Sequence, residues 1–306
     1  MRTDTKRGTE TFTLGHSPDP DDAFMFYAMA ENKIHLRGYR FEHRLEDIQT
    51  LNERAFRGEL HISAISIHAY AYVAGKYLLL PCGASMGDGY GPIVIRNRRN
   101  GTSAERRHQG AAVSKPPTVE EATRELSRSC VIAVPGKMTS AFLALELFLG
   151  EFDYVVVPFD QIFEAVRHGQ ADAGLIIHEG QLTYERSAFE KVIDLGKWWK
   201  SQTGLPLPLG GNVVRKDITP AVRRDLSEII HESIDYGLAH SDEAVQHSLA
   251  YARDMDAKLT GKFIGMYVNE FTRDYGEIGR VAVRKFLTEA RDKGYIDVPV
   301  EVEFVE

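Results

Sequence analysis

Apolar positions along the first half of the chain switch repeatedly between a spacing of two and a helical spacing. Thr11 to Gly15 is a short strand-like run, followed by the polar loop His16-Ser17-Pro18-Asp19-Pro20-Asp21-Asp22. The stretch Ala23-Phe24-Met25-Phe26-Tyr27-Ala28-Met29-Ala30 predicts a helix, and the acidic residues at its start complement the helix dipole. Arg40 to Leu45 predicts a strand, and Glu46-Asp47 breaks it. Ile48, Leu51, Ala55 and Phe56 then recur at helical spacing up to Gly58, and Ile62 to Ile67 predicts the next strand.

The same order returns later. Val131 to Val134 predicts a strand, Pro135-Gly136-Lys137-Met138-Thr139-Ser140 a loop, and Ala141-Phe142-Leu143-Ala144-Leu145 the opening of a helix. Tyr154 to Val157 predicts a strand, and Asp160 starts a helix carrying Ile162, Ala165 and Val166, which Gly169 ends. Ala173 to His178 closes the set. Both loop-to-helix entries carry Ala-Phe, and both second helices end near Arg and Gly. Two matches in one order predict a pair of similar α/β lobes, and alternating strands and helices predict largely parallel sheets.

From about Asn212 the pattern is helical. Pro220 sits near a helix start, and Val222, Leu226, Ile229, Ile230 and Ile234 follow at helical spacing, as do Val281, Val283, Phe286, Leu287 and Ala290 further on. Such an end has too little strand for a third lobe, so it is expected to wrap back on the first. That predicts a discontinuous lobe one over 1–95 and 212–306, and lobe two over 96–211. In this two-lobed α/β fold a ligand cleft is expected between the lobes, near the carboxyl ends of the strands. Leu205-Pro206-Leu207-Pro208-Leu209-Gly210-Gly211-Asn212 is expected to be a stiff crossover, because proline suppresses helix and central strand. One stretch, about 96–117, fits neither lobe. It is polar, carries Arg96, Arg98, Arg99, Arg106, Arg107 and Lys115 against Glu105, and reads as a solvated insertion or as a loop for an anionic partner.

Composition narrows the classes. The chain has 306 residues, 43% of them hydrophobic, which fits about two globular domains. Lys and Arg number 37 against 44 Asp and Glu, a net charge of −7, so no nucleic-acid partner is expected. No apolar run reaches the ~18 residues of a membrane span, so no membrane partner is expected either. The polar N-terminus lacks an apolar signal core, which predicts a cytoplasmic protein. Cys82 and Cys130 are the only cysteines, too few for a disulfide framework or a zinc cluster.

The candidate chemistry sits where loops leave strands. The run Gly136 to Ala141 lies between a strand and a helix, where free N–H groups joined by the Thr139 and Ser140 hydroxyls suit a carboxylate or phosphate. The spacing is not that of a P-loop, and an ordinary N-cap explains the same residues. In Ser63-Ala64-Ile65-Ser66 the two serines are expected on opposite strand faces, one buried and one toward the cleft. Gly87-Asp88-Gly89-Tyr90-Gly91-Pro92 is a glycine-rich turn. In Ile176-Ile177-His178-Glu179-Gly180 an apolar strand is expected to deliver a histidine at its carboxyl end, able to accept a proton near neutral pH. Glu179 is expected to point the other way. A capped histidine at a domain edge is the bland alternative. No metal-ligand spacing and no nucleophile elbow is present.

Four runs, taken in order, carry a resemblance. Ser17-Pro18-Asp19-Pro20-Asp21-Asp22-Ala23-Phe24-Met25-Phe26-Tyr27, Val134 to Ala141, Ile177-His178-Glu179-Gly180-Gln181-Leu182-Thr183-Tyr184 and Thr203 to Gly211 together resemble the 1,4-dihydroxy-6-naphthoate synthase family of the futalosine route to menaquinone. The resemblance covers nearly the whole chain. It implies a periplasmic-binding-protein-like (type II) fold and a cytoplasmic carbon–carbon lyase that turns cyclic dehypoxanthine futalosine into 1,4-dihydroxy-6-naphthoate. By it, His178 falls on the proton-accepting histidine, Ser140 and Ala141 on a substrate-binding pair, and Ala64, Ile65 and Ser66 on another substrate-binding stretch. Thr139 to Ala141 would hold the carboxylate of a small-molecule substrate. No metal or organic cofactor is expected, since the forming aromatic ring supplies the driving force. Two departures from the family pattern stand out. Asp19 and Asp21 stand in a motif that often reads Ser-Pro-Cys-Pro-Asn-Asp, and Ala64 stands where some members have lysine. A non-catalytic binding protein for a small carboxylate and chorismate dehydratase of the same pathway are the alternatives; the missing signal core and the His-Glu-Gly run weigh against them.

Overall fold

The computed structural model describes residues 10–98, 118–127, 130–187, 189–252 and 255–306. Most of the stretch at 96–117 therefore lies outside the described residues. In chain order the strands are β1 Thr11–His16, β2 Arg40–Leu45, β3 Ile62–Ser66, β4 Tyr77–Leu79, β5 Ser85–Gly87, β6 Ile93–Asn97, β7 Ile132–Val134, β8 Tyr154–Val156, β9 Ala173–Ile176, β10 Phe189–Asp194 and β11 Leu207–Arg215. The helices are α1 Pro20–Ala30, α2 Ile48–Arg57, α3 Ile67–Val73, α4 Val119–Leu126, α5 Ser140–Leu149, α6 Ile162–Arg167, α7 Gly180–Thr183 and α8 Leu195–Thr203. They are followed by α9 Pro220–Ala239, α10 Ser241–Ser248, α11 Ala257–Tyr267, α12 Glu270–Arg273 and α13 Gly276–Asp292.

Two compact units divide the chain. The first holds Met1–Gly87, Met138–Ser140 and Leu205–Glu306, and the second holds Asp88–Lys137 and Ala141–Gly204. The divisions fall at Gly87/Asp88 and Gly204/Leu205 rather than at 95/96 and 211/212, because β6 pairs within the second unit and β11 within the first.

In the first unit β2, β1 and β3 are parallel neighbours, with Leu14 opposite Ile62 and Thr11 opposite Arg40. β11 then runs antiparallel beside β3, and β4 and β5 pair with β11. In the second unit β8, β7 and β9 are parallel, and β6 runs antiparallel between β9 and β10. Both sheets are thus mixed, which corrects the expectation of largely parallel sheets. Each unit keeps three parallel strands and adds an antiparallel strand from a distant stretch of chain. The run from Leu205 is likewise no crossover. It becomes the long strand β11, and it tolerates Pro208 because the register against β5 shifts between Pro208 and Gly210, where a missing N–H interrupts little.

α1 is apolar nearly all round, with Phe24, Met25, Phe26 and Tyr27 buried. It packs against α9, α10 and α11, and Ser233 Oγ donates to the Met25 carbonyl at 2.7 Å. Phe12, Leu14, Ile62, Ile230 and Ile234 complete that core. The second unit has its own core of Ile95, Ala133, Ile162, Val166, Ile176 and Phe189. Trp199 is fully buried, and Trp198 lies edge-on to Phe148 at 5.3 Å. Among the described residues no helix is long and apolar enough to cross a membrane.

Candidate functional site

In the first unit the chemistry gathers at the carboxyl end of β3. Ala64, Ile65 and Ser66 pair with Asn212, Gly211 and Gly210 of β11. Ser66 ends the strand and stands at the N-cap position of α3, with no cap bond from its side chain. Ser63 and Ser66 are both buried, against the expectation that one would be open. The strand sits inside a sheet covered on both sides, so alternation separates two interior faces rather than an interior from a surface. Ser63 Oγ spends its proton on the neighbouring Ala64 carbonyl at 2.8 Å.

Ser66 is held by a residue the sequence reading did not single out. Asn52 Oδ1 accepts the Ser66 N–H at 2.9 Å, and Asn52 Nδ2 donates to Ser66 Oγ at 3.0 Å and to the Met138 carbonyl at 3.5 Å. One fully buried amide therefore ties the end of β3 to the turn before α5. A signal was present, because Asn52 falls on the apolar stripe of α2 with Ile48, Leu51 and Ala55. A polar side chain on a buried stripe implies bonded partners.

Thr139, Ser140 and Ala141 are all buried. Ser140 Oγ accepts the His68 N–H at 3.1 Å and donates to the Leu209 carbonyl at 2.5 Å. Its proton is committed, so this hydroxyl binds the start of α5 to α3 and β11, with one lone pair left over. The first N–H groups of a helix have no acceptor within it, so the start of α5 is suited to an anion.

The other loop of the first unit is more acidic. Asp22 Oδ2 accepts the Ser17 N–H at 2.6 Å, and burial pushes its carboxyl up to about 6. Burial, followed by the Asp22 and Asp19 charges, pushes Asp21 upward as well. His16 Nε2 lies 3.0 Å from His43 Nδ1 and its Nδ1 lies 3.1 Å from the Ser17 carbonyl. Burial, then the neighbouring His43, lowers His16 to about 4.

In the second unit β9 stops at Ile176, two residues before His178. The backbone has already turned, and Glu179 adopts φ −54° and ψ −17° as it leads into α7. The expectation that Glu179 points away therefore fails, because alternation holds only while the chain is extended. Glu179 Oε2 comes within 3.6 Å of His178 Nδ1, and both residues are buried, at 4% and 9% exposure. The Gly180 N–H donates to the same Nδ1 at 3.0 Å. Nε2 is buried, with no hydrogen-bond partner among the described residues. Phe159 and Phe163 stand edge-on to the ring at 5.6 Å and 6.0 Å. At Gly180 an added Cβ would lie 2.6 Å from Phe163 and 2.7 Å from the imidazole, so a side chain there would have to displace one of the two rings.

Arg96 is structural in this unit. It pairs with Glu190 at 2.6 Å and with Glu125. Arg98 donates to the Phe189 carbonyl at 3.3 Å. Arg99, Arg106, Arg107 and Lys115 lie outside the described residues. Among the described residues no group of three or more His, Cys, Asp or Glu is placed to hold a metal, and Cys82 and Cys130 are both free thiols.

The family described as menaquinone biosynthesis matches residues 12–292. The chain belongs to this family. A 1,4-dihydroxy-6-naphthoate synthase from Thermus thermophilus is 36% identical over 285 residues, which cover 93% of this chain and 96% of the relative. One from Streptomyces coelicolor is 33% identical over 294 residues, covering 94% and 95%. A crystal structure of a protein from Archaeoglobus fulgidus superposes with a TM-score of 0.82 at 39% identity, covering 94% of this chain and 98% of that one. The periplasmic-binding-protein-like fold is shared with a Candida albicans protein of that generic fold, at a TM-score of 0.66 and 14% identity, covering 94% and 92%.

Proposed function

We propose that this member of the menaquinone biosynthesis family is a cytoplasmic 1,4-dihydroxy-6-naphthoate synthase, a carbon–carbon lyase acting on cyclic dehypoxanthine futalosine. The observation that carries the reading is near-full-length similarity to two proteins of that name. His178 serves as the general base. It removes a proton from a substrate hydroxyl, that oxygen becomes a carbonyl, and the adjacent carbon–carbon bond breaks. The released electron pair passes into the ring system, which aromatises to the naphthoate. General-base help of this kind is worth about 10² to 10⁴ in rate. The edges of Phe159 and Phe163 keep the imidazole out of bulk water, which strengthens its electrostatic interactions.

The substrate carboxylate is taken by the N–H groups at Thr139 to Ala141, at the positive pole of the α5 dipole. The Ser140 hydroxyl fixes that turn through its bonds to His68 and Leu209, and Asn52 fixes Ser66 beside it. Ala64 and Ile65 carry no polar side chain and Ile65 is fully buried, so no cation is offered to the substrate there.

Incubating the purified protein with cyclic dehypoxanthine futalosine and following 1,4-dihydroxy-6-naphthoate by mass spectrometry tests the reading. Naphthoate formed by the wild type and lost in folded His178→Ala is the expected result. Turnover of chorismate instead, or binding of the futalosine without turnover, would replace the reading with the dehydratase or the binding protein. A folded His178→Ala variant at wild-type rate removes the base assignment alone.

A further inference from the structure

A neutral imidazole carries one proton, and its two nitrogens therefore play opposite roles. At His178 two groups compete to decide which nitrogen carries it. The Gly180 N–H, a donor, lies 3.0 Å from Nδ1. The Glu179 carboxylate, an acceptor, has Oε2 3.6 Å from the same nitrogen. When Nδ1 accepts from Gly180, the proton sits on Nε2, and Nε2 can only donate. When Nδ1–H points at Glu179, the Nε2 lone pair is open. Among the described residues Nε2 has no hydrogen-bond partner, so it is the nitrogen left for a substrate. A base acting through Nε2 thus requires an acceptor beside Nδ1, and the bond to Gly180 works against it.

We infer that Glu179 is a positioning residue that sets the tautomer of His178, drawing the proton to Nδ1 so that Nε2 can accept one. This inference rests on the reading of His178 as the base. The geometry supplies the means. Glu179 follows His178 directly, and the turn at Glu179 brings its carboxylate back alongside the ring. Rotating that carboxylate to shorten the 3.6 Å separation to the ~2.7–3.2 Å of a hydrogen bond completes the pair. Both side chains are buried, so the carboxylate's preference for Nδ1–H is little screened. Once Nε2 has taken the substrate proton, the same carboxylate faces an imidazolium and stabilises it. Carboxylate–imidazole pairs in hydrolases work in this way, holding the tautomer without taking the proton themselves. Gly180 N–H holds the opposite tautomer, so the pair forms a switch with two settings.

Nitrogen NMR of protein labelled with ¹⁵N-histidine reads the setting directly, since protonated and unprotonated ring nitrogens resonate far apart. The His178 signals are identified by their loss in His178→Gln. Glu179→Gln keeps the shape but offers Nδ1 an amide that can donate to it. The expected result is an Nδ1–H population at His178 in the wild type that gives way to Nε2–H in Glu179→Gln. Turnover should follow, with kcat falling by about 10² to 10⁴ while KM stays within about threefold, and Glu179→Asp recovering part of the loss. Identical His178 tautomers in wild type and Glu179→Gln overturn the inference, as does a Glu179→Gln effect confined to KM. Failure of the functional reading looks different: the tautomer still responds to residue 179, but no naphthoate forms in any variant. A variant that loses its fold is recognised by circular dichroism, and Glu179→Asp then carries the comparison.

Discussion

Acid should weaken the wild-type protein through His16, and His16→Gln should remove that component. The Ser17 carbonyl can only accept, so His16 Nδ1 must be the donor in the 3.1 Å contact between them. In the neutral ring Nε2 is then the acceptor, and His43 Nδ1–H supplies its bond at 3.0 Å. A proton added at Nε2 would break that bond and leave a charge on a side chain that is 4% exposed. Burial first, then His43, accordingly lowers His16 from 6.5 to about 4, with the Ser17 carbonyl pulling weakly the other way. The unfolded chain takes up this proton near 6.5 and the folded chain only near 4. The stability from neutral His16 is therefore complete above the upper value and drains away as pH falls toward the lower one. One pH unit within that window is worth about 1.4 kcal/mol, so the loss is about 2 kcal/mol at about pH 5 and about 3 kcal/mol below about pH 4. Asp22 works in the opposite sense. Its carboxyl is raised to about 6, so stability from that group is fully present below 3.8 and is lost as pH rises through about 6. The wild-type pH curve also carries His43 and His61, lowered by burial, and Asp21 and Glu146, raised by it, so only the difference between variant and wild type isolates His16. Urea unfolding followed by circular dichroism at about pH 7 and about pH 5 measures it. The stability of His16→Gln relative to wild type should rise by about 2 kcal/mol on going to the lower pH. A difference that stays constant to within about 0.5 kcal/mol refutes the reasoning, whatever the variant costs at neutral pH.

Three further substitutions test the supports around the proposed carboxylate site and the packing of the second unit. Asn52→Ala strands the Ser66 N–H and weakens the hold on Met138, at about 1–3 kcal/mol for each buried group left unpaired; a thermal midpoint equal to wild type would show that the amide bears no load. Ser140→Ala removes both the acceptor for the His68 N–H and the donor to Leu209, and steady-state kinetics should show KM rising more than kcat falls; an unchanged KM counts against the anion site. Gly196→Ala drives a Cβ into the Tyr90 carbonyl, a backbone atom that cannot swing aside, and should cost upwards of about 3 kcal/mol in urea unfolding, with a wild-type midpoint disproving the close approach.

Much of the frame was readable because one face of each element meets a core. Arg40 to Leu45 and the helix ended by Gly58 stand where periodicity and the left-handed glycine put them, with Gly58 at φ 71°. Reading failed where a local rule met a nonlocal fact. Proline argued against a strand at Leu207 to Arg215, yet the partner β5 is short and shifted there, so the sheet loses little. Alternation placed Glu179 away from His178, yet the chain had left the extended state after Ile176. Ser63 and Ser66 were told apart by face, and both faces proved to be interior. Asn52 was passed over because its partners lie at positions 66 and 138, separations that no spacing rule spans.

The repeat explains why the candidate positions are legible in the sequence and their supports are not. In each unit the first strand of the parallel trio lies at its middle, between the second and the third, giving β2-β1-β3 and β8-β7-β9. Chain reversal at the carboxyl ends of such strands frees backbone N–H groups at helix starts and leaves loops at liberty to vary. His16 ends β1 and leads through Asp19 into α1, Ser66 ends β3, Thr139 and Ser140 follow β7, and His178 follows β9. All four places are fixed by strand order, so a pattern of strands and helices suffices to nominate them. What each place can do depends on a different layer. The Ser140 proton goes to Leu209, Ser66 answers to Asn52, and His178 lies between a donor and an acceptor for one nitrogen. These bonds join positions whose separation in sequence carries no period, or neighbours whose geometry is decided by a turn. The frame therefore sets where the candidate groups stand, and the buried polar contacts set which of their protons and lone pairs are already committed.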